Sequence, residues 1–412
     1  MIKTNTAPRR AFHSASFRHL FFARLLTVLG NGIAPIALAF AVLDIGGSAS
    51  DLGIVVAARS LFNVAFLLVG GVLADRYSRS LVLVLSSLVA ALSQGVVAWL
   101  VLDGSATVLL LAVLGTINGA AAGMALPASS ALVPQTVPTH HLREANALIQ
   151  LGIYSGTVIG ASLGGMLTSA VGPGWGLAVD ALGFAAAAPL YRAIRIDAVQ
   201  AAATNILQDL RDGWKEFIGR AWVWSIVVQF TIVNAAFSGI VMVLGPVIAD
   251  TAFGRMQWGI IVAAQSVGLI AGSFLALRWR PRRDLFIGVM LVALCAVPIY
   301  LLGQVAPTPW LIAAFFIAGV TFGLFGVAWA QSLQTHIPPE KLARVYAWDA
   351  MGSFIAIPVG ELAAGPLAMH FGSDHVLTAS ALAVVLACVA ASLVPSIRRL
   401  DNSPQVNVVR SS

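Results

Sequence analysis

Twelve long apolar stretches, each close to the length needed to cross a bilayer, limit the folds open to this sequence. A helix crosses the hydrocarbon layer with about 20 apolar residues. The stretches lie at 22–43, 52–74, 81–102, 107–129, 145–169, 175–194, 223–249, 257–278, 285–304, 310–334, 345–369 and 375–394. Because 59% of the chain is hydrophobic and only 10% is charged, a water-facing exterior is excluded. We predict an all-α integral membrane protein with twelve transmembrane helices.

Arginine and lysine alternate between the loops in a way that indicates orientation. If the first residue is cytoplasmic, every Lys and Arg except Arg24, Arg59 and Arg255 falls in a cytoplasmic loop or tail. Positive residues are retained on that side of a membrane. We therefore predict that both termini are cytoplasmic, and we attribute the net charge of +7 to topology rather than to nucleic-acid binding. The excess of arginine over lysine is typical of a GC-rich bacterial genome, which predicts the bacterial inner membrane.

The longest polar break separates six apolar stretches from the other six. In this segment Trp214, Phe217 and Ile218 recur at helical spacing among charged residues, which predicts an amphipathic helix on the cytoplasmic membrane surface. The predicted organisation is a cytoplasmic tail at 1–20, a six-helix bundle at 21–194, the amphipathic linker at 195–222, a second six-helix bundle at 223–394 and a cytoplasmic tail at 395–412.

The two halves resemble each other at a constant spacing along the chain. Val137-Pro138 matches Ile337-Pro338, and Gly172 matches Gly372. Six is an even number of spans, so the two bundles have the same orientation. A parallel repeat of this kind is found in transporters that rock two halves around a site at the membrane midplane. We predict two pseudo-symmetric bundles.

Glycines four residues apart leave one face of several spans without side chains. Such faces let a neighbouring backbone approach closely. We predict that they form the seam on which the two halves move, and static helix packing is the alternative. The glycines concerned are Gly152, Gly156, Gly160, Gly164, Gly268, Gly272, Gly352 and Gly360.

The loop between the second and third spans contains a Gly, an Asp-Arg pair and a further basic residue: Gly71, Asp75, Arg76 and Arg79. This pattern resembles the motif of the major facilitator superfamily at the same loop. The resemblance implies the major facilitator fold and a gating role for these four residues. It also implies that Asp75 contacts the eleventh span and latches the outward-facing state. The alternative is that the arginines only set topology.

Four further segments are similar to the drug:proton antiporter branch of that superfamily, which includes the enterobactin exporter and macrolide efflux proteins. They begin at Pro127, Leu142, Asp209 and Gln334. The resemblance implies proton-driven efflux of a drug, antibiotic, siderophore or other secondary metabolite. The sequence departs from the branch at Leu111–Ala122, which lacks the arginine often found in the fourth span.

Ionisable residues inside a lipid-embedded span are costly and are therefore candidates for function. Glu361 lies well inside the eleventh span, and Arg59 of the second span is expected to pair with it. We predict that this pair couples transport to protons, with a structural ion pair as the alternative. Asp180 and Asp44 are further proton-coupling candidates, although we expect both at the outer membrane interface.

A central cavity needs a few polar groups among apolar walls to hold a substrate. Uncharged polar or aromatic residues at useful depths are Asn31, Asn118, Gln229, Asn234, Trp329 and Gln331. We predict that these residues contact the substrate. For each of them a hydrogen bond between helices is the alternative.

The sequence indicates a transporter rather than an enzyme. It contains no phosphate-binding loop, so ATP is not expected as the energy source. The 2 cysteines and 7 histidines form no metal-ligand cluster, and no cofactor is expected. The expected partners are a small-molecule substrate, protons and the lipid bilayer, with the chain as a monomer. An importer of a nutrient such as a sugar or organic acid and a non-transporting membrane sensor are the alternatives.

Overall fold

The computed structural model describes residues 10–138, 141–194, 214–279 and 281–400, and all of their regular structure is helical. Twelve long helices follow the predicted spans in order. They are α1 (Ala15–Asp44), α2 (Ala49–Arg76), α3 (Arg79–Asp103), α4 (Val108–Thr136), α5 (Leu142–Val171), α6 (Pro173–Arg192), α7 (Ala221–Ala252), α8 (Arg255–Arg278), α9 (Asp284–Gly303), α10 (Thr308–His336), α11 (Pro339–Phe354 and Ala356–Phe371) and α12 (Ser373–Leu393).

Most of these helices are long and apolar enough to cross a membrane. Within the described ranges, 11 helices meet that standard by length and composition. The remaining helix, α6, has 20 residues and carries Asp180 in its middle. At about 1.5 Å per residue, α6 has a length of roughly 30 Å, which is the thickness of the hydrocarbon layer. It packs on α1 and α3 inside the bundle.

The helices of each half pack in the same order. In the first half, α1 packs on α5 and α6, α2 on α4, and α3 on α4 and α6. In the second half, α7 packs on α11 and α12, α8 on α10, and α9 on α10 and α12. The detail repeats as well: a methyl group added at Gly119 would collide with the carbonyl of Arg59, and one at Gly319 with that of Gln265. The predicted pair of pseudo-symmetric six-helix bundles is confirmed.

Two pairs of helices make the largest contacts between the halves: α2 packs on α11, and α5 packs on α8. Single glycines bring the backbones together. Gly165 of α5 lies against Gly259 of α8, and Gly365 of α11 lies against Ala49 of α2. These contacts form the seam between the halves.

The eight glycines predicted to form this seam pack inside their own halves, so that prediction is wrong. A four-residue spacing produces a smooth face but does not say which neighbour will use it. Gly152, Gly156, Gly160 and Gly164 face α1, Gly268 and Gly272 face α10, and Gly352 and Gly360 face α7.

The molecule has two distinct ends. At one end lie the short turns that follow α1, α3, α5, α7, α9 and α11, and we call it the short-turn end. The opposite end, where α1 begins and α12 ends, is the terminal end. Gly172 and Gly372 are the turns after α5 and α11, with φ of 92° and 87°. A side chain is disfavoured at that φ, which explains why glycine recurs in both halves.

Proline interrupts α11 in the middle of the membrane-spanning region. The ring of Pro358 has no N–H, so the helix breaks at Ile355. Side chains of α7 bond the carbonyls near the break: Thr231 donates to the Gly352 carbonyl and Asn234 to the Ser353 carbonyl, each at 2.9 Å. The break therefore remains bonded within the protein, as a membrane environment requires.

The predicted amphipathic linker is described from residue 214 onwards, and its earlier part lies outside the described residues. The ring of Trp214 lies 4.6 Å from that of Trp348 on α11. Glu216 accepts hydrogen bonds from Lys341 at 2.7 Å and from Arg220 at 2.6 Å. These two cations hold the pKa of Glu216 below its ordinary value, Lys341 contributing most. This end of the linker is therefore bound to the second half.

Candidate functional site

Arg59 of α2 forms the centre of a polar group in the middle of the first half. Its Nε donates to Asn118 Oδ1 on α4 at 3.0 Å, and its Nη2 donates to Asn31 Oδ1 on α1 at 3.1 Å. Gly119 permits this arrangement, since any side chain there would collide with the Arg59 backbone. Two residues predicted to contact substrate thus orient the guanidinium group, and they tie three helices together around it.

Glu361 reaches across from the second half. Its side chain is only 1% exposed, and its Oε1 accepts a hydrogen bond from the hydroxyl of Ser60 at 3.1 Å. Ser60 follows Arg59 on α2, and the Arg59 guanidinium also attracts Glu361 electrostatically. Close approach of the two helices depends on Gly53, because a methyl group there would collide with the carbonyl of Glu361. The predicted proximity of Arg59 and Glu361 is therefore seen, with Ser60 as the direct partner.

Asp180 is buried beside the same arginine, whereas we expected it at the membrane interface. Asp180 is 1% exposed, and the positive charge of the Arg59 guanidinium attracts its carboxylate. It lies seven residues into α6, or roughly 10 Å from the helix start. Gly30 of α1 makes room for its carboxylate. Its Oδ1 has no hydrogen-bond partner in the described part of the chain.

A cavity of about 200 Å³ opens onto this charge cluster, which we define as Arg59, Asp180 and Glu361. Arg59 and Glu361 line it. The rest of the wall is mainly apolar, with Met242 and Ile357 from the second half, but Ser60, Gln94 and Asn118 also line it. Drug-sized ligands occupy about 300–1,000 Å³. In this conformation the cavity is large enough for water molecules but too small for a drug-sized amphipathic compound.

Asp44 lies apart from the charge cluster, at the short-turn end. Its carboxylate makes a two-pronged contact with Arg255 of α8, in which Nη1 lies 3.0 Å from Oδ2. Arg255 also bonds Asp250 at 2.8 Å and lies 4.9 Å above the ring of Phe40. The Asp44 side chain is 37% exposed, which fits the expected interfacial position. Its proton-coupling role stays a prediction, and its contact joins the two halves.

The other predicted substrate residues lie in the second half, each with its own partners. Gln229 is 1% exposed and donates a hydrogen bond to Cys388 Sγ at 3.1 Å, so it joins α7 to α12. Asn234 bonds the α11 break. Trp329 donates its Nε1–H to Asp349 at 2.9 Å. Gln331 lies apart, in a small pocket beside Trp279. Of the six residues predicted to contact substrate, the structure therefore places only Asn31 and Asn118 beside the charge cluster.

A comparison of this sequence with known protein families agrees with the arrangement of two six-helix halves. A family model described as the Major Facilitator Superfamily matches residues 20–361. The chain belongs to the Major Facilitator Superfamily. The family resemblance carried by the loop motif is thereby confirmed.

Relatives within the superfamily match nearly the whole chain. The multidrug efflux pump Tap of Mycolicibacterium fortuitum is 25% identical over 395 residues, covering 93% of this chain and 96% of the pump. The enterobactin exporter EntS of Escherichia coli O1:K1 is 26% identical over 351 residues, covering 81% of each chain.

Solved superfamily structures share the fold. The nucleoside transporter NupG aligns with a TM-score of 0.73 at 14% identity, covering 94% of this chain and 100% of the other. An inward-facing bacterial homologue of the lysosomal transporter Spinster aligns with a TM-score of 0.70 at 15% identity, covering 96% and 98%. At these identities the likeness concerns the fold alone.

The superfamily's loop motif is described only in part. Arg79 donates to the carbonyl of Ala131 on α4 at 2.8 Å, which fastens the loop to its own half. Gly71 has open space where a side chain would lie. The side chains of Asp75 and Arg76 lie outside the described ones, and the latch on the eleventh span stays a prediction.

Sequence reasoning missed three residues of functional interest: Ser60, Asp349 and Arg255. Asp349 is a carboxylate inside the predicted stretch 345–369, so the rule applied to Glu361 would have found it. Arg255 was visible as the one basic residue in a predicted outside loop. Nothing in the sequence distinguished Ser60 from other serines, because its significance depends on a helix of the other half.

Proposed function

We propose that this chain is a secondary transporter that exports a small amphipathic compound in exchange for protons by alternating access. The observation that carries the proposal is the hydrogen bond from Ser60 to Glu361, which joins the two halves beside the partly buried Arg59. The names of two relatives, a multidrug efflux pump and an enterobactin exporter, support the direction of transport. We place the terminal end in the cytoplasm, because its loops carry the arginines and lysines.

The charge cluster is suited to coupling transport to protons because it contains one cation and two carboxyl groups in a region from which water is largely excluded. Charges interact strongly when water is excluded. Adding a proton to Glu361 removes one negative charge from beside Arg59 and changes what Ser60 can bond. The relative stability of the two arrangements of the halves then depends on that proton. In the cycle, a proton bound from outside leaves Glu361 on the inside, while the compound moves the other way.

Comparison of the two repeated halves indicates that this coupling chemistry belongs to one of the two interfaces between them. Glu361 corresponds to Ala161 in the repeat, and Arg59 corresponds to Gln265. Gly53 meets the backbone of Glu361 just as Gly259 meets that of Ala161. The two interfaces thus share a backbone geometry, and the α2–α11 interface carries the charged Glu361 where the α5–α8 interface carries Ala161. We infer that α2–α11 is the proton-sensitive interface and α5–α8 the passive one.

The test is transport by the purified protein in liposomes with an imposed pH gradient. We expect the wild type to move an amphipathic compound against its own gradient, opposite to the proton flux. Glu361→Gln should lose at least about tenfold of this uphill rate while downhill exchange continues. Glu144→Gln is the matched control, since Glu144 lies in the first turn of α5 and its ion pair among the described residues is with His141, three residues earlier.

Three results would contradict the proposal. Wild-type uphill rates in Glu361→Gln would remove Glu361 from coupling. Movement of the compound together with protons would identify an importer, and absence of any flux across a broad panel of compounds would favour the sensor.

A further inference from the structure

Arg24 is a partly buried arginine of α1 that lies in the first half, between the charge cluster and the terminal end. It is roughly 13 Å from the start of the helix. The charge cluster gives Arg59 two carboxyl neighbours, whereas Arg24 forms no ion pair in the described part of the chain. Its electrostatic neighbour among the described side chains is the phenol of Tyr191. An arginine placed in this way in a membrane-spanning helix is a candidate for binding a ligand.

Arg24 lines a pocket of about 150 Å³ inside the first half. The other polar residues of the pocket carry hydroxyl or amide groups and come from four helices: Thr27 and Asn31 of α1, Ser86 and Ser87 of α3, Ser129 of α4 and Tyr191 of α6. No carboxylate is among the described residues that line it. The pocket therefore surrounds one positive charge with groups that can donate hydrogen bonds.

The pocket opens between α1 and α4. Its lining residues on α3 and α6 are buried, whereas Arg24 and Asn31 on α1 are partly exposed and Leu126 on α4 is exposed. A ligand can therefore enter between α1 and α4 and reach the buried serines behind them. Asn31 also accepts the hydrogen bond from Arg59, so the pocket ends beside the charge cluster, roughly 10 Å along α1 from Arg24.

One hydroxyl that lines the pocket has no partner. Ser129 is 6% exposed, and its Oγ makes no hydrogen bond within the described residues. The next residue, Ser130, donates to the carbonyl of Leu126 four residues earlier, as serines inside helices commonly do. A buried hydroxyl without a hydrogen bond costs free energy, and a bound polar group would remove that cost.

An acidic group satisfies all of these residues together. A guanidinium group stays charged and holds a carboxylate or phosphate through two parallel N–H bonds. Serine hydroxyls can donate to the remaining oxygens. A drug-sized ligand needs about 300–1,000 Å³, so this pocket suits one polar group of a ligand and not the whole molecule.

We propose that this pocket binds the acidic group of the transported compound, so that the protein exports amphipathic organic acids. The inference rests on the proposed function for transport, whereas binding can be measured without it. Arg24 pairs with the acid, Ser129 donates to it, and the apolar part of the compound extends past Val28 and Leu126. The charge of the substrate is thereby bound in the first half, and the proton of the cycle is bound at Glu361 of the second half.

The test is equilibrium binding of radiolabelled naphthoate, an aromatic carboxylate, to the purified full-length chain in detergent. Naphthamide, the uncharged amide of the same shape, is measured in parallel. We expect saturable binding of naphthoate to the wild type, at least about tenfold tighter than binding of naphthamide, because only the carboxylate can pair with the guanidinium group.

Arg24→Gln should lose about tenfold of the naphthoate affinity and leave naphthamide binding unchanged, since only the charged contact is removed. Arg24→Lys should lose less, because it keeps the charge. Ser129→Ala should weaken naphthoate binding by about threefold. Arg18→Gln is the matched control and should bind both ligands as the wild type does. Arg18 is exposed on the same helix, and its guanidinium group bonds the carbonyls of Phe12 and His13.

Four results would overturn the inference: no saturable naphthoate binding, equal affinity of the wild type for both ligands, unchanged naphthoate binding in Arg24→Gln, or equal loss of both ligands in that variant. Displacement of naphthoate by phosphatidylglycerol added to the detergent would assign the pocket to a lipid headgroup and would overturn it as well. Charge-selective binding that depends on Arg24, in a protein that shows no gradient-driven transport, would instead refute the proposed function and leave the acid-binding pocket intact.

Discussion

At the scale of single residues, the charge cluster depends on small residues that surround it. Asp180 can lie deep in the bundle because Gly30 of α1 leaves space for its carboxylate. Arg59 is reached by Asn118 because Gly119 brings α4 against α2. A charged group inside a membrane protein must face other protein groups, and in this chain glycines create the necessary room.

Gly30→Ala tests this dependence directly. Its methyl group would overlap the Asp180 carboxylate and crowd its backbone, so we expect a loss of about 1–3 kcal/mol in the free energy of unfolding. A lower thermal unfolding midpoint in detergent would show it, together with slower gradient-driven transport.

Gly326→Ala is the control for that substitution. Gly326 is also in the interior of a helix, but nothing lies within 4 Å of an added methyl group. Alanine is a better helix former than glycine by about 1 kcal/mol, so this variant should be as stable as the wild type or more so. Equal unfolding midpoints for both variants would mean that Asp180 is not confined by Gly30.

At the scale of helices, two kinds of glycine contact have different consequences. Gly319 of α10 meets α8 inside the second half, so we expect these two helices to move together. Gly259 of α8 meets Gly165 and the Ala161 carbonyl of α5, across the boundary between the halves. Close backbone contact stabilises both pairs, but only the second can change when the halves rock.

Gly259→Ala should therefore alter the conformational equilibrium. A methyl group at Gly259 pushes α5 and α8 apart near the short-turn end, which favours the arrangement open at that end. We expect several-fold faster labelling of a cysteine introduced at Val97, which is 3% exposed in this closed structure and lines the cavity between the halves. The two native cysteines are buried and should not interfere.

Gly319→Ala is the matched variant inside one half. It should lower the unfolding midpoint without changing the labelling rate, since it separates helices of the same body. If both substitutions changed labelling equally, the assignment of the seam to α2–α11 and α5–α8 would be wrong.

At the scale of the whole molecule, the structure is closed at the short-turn end. The backbones of α5 and α8 meet there, and Arg255 of the second half holds Asp44 of the first. Opening that end must separate this ion pair. Both side chains are partly exposed, at 24% and 37%, so the pair biases the equilibrium and does not lock it.

Asp44→Asn should weaken closure at the short-turn end. An exposed pair contributes about 0.2–1 kcal/mol, which changes the ratio of the two states by up to about fivefold. Distances between spin labels at Ser105 and Gln304, on turns of opposite halves, should shift towards the longer population. The shift should shrink at about 1 M salt, because the wild-type pair is then screened as well.

Asp374→Asn is the control, since Asp374 lies at the same end and its ion pair, within the part of the chain that the structure describes, is with its neighbour His375. Its distance distribution should match that of the wild type. A distribution for Asp44→Asn that also matches the wild type would show that the ion pair has no influence on closure.

The amino-acid sequence by itself determined the membrane-spanning helices, their order and the division into two repeated halves. These properties follow from local composition: apolar length specifies a span, and glycine specifies the turns at Gly172 and Gly372. The sequence also singled out Arg59 and Glu361, because charge inside an apolar stretch is costly wherever it occurs. The contacts between distant helices could not be derived in this way.

The tertiary structure alone decided which groups meet. It buried Asp180 beside Arg59, gave Glu361 its partner Ser60, and placed the seam at Gly165 and Gly259 instead of at the repeated glycine faces. The physical reason is that a glycine face or a polar side chain is compatible with several neighbours. Only the packing of all twelve helices selects among those neighbours, since each close contact excludes the others.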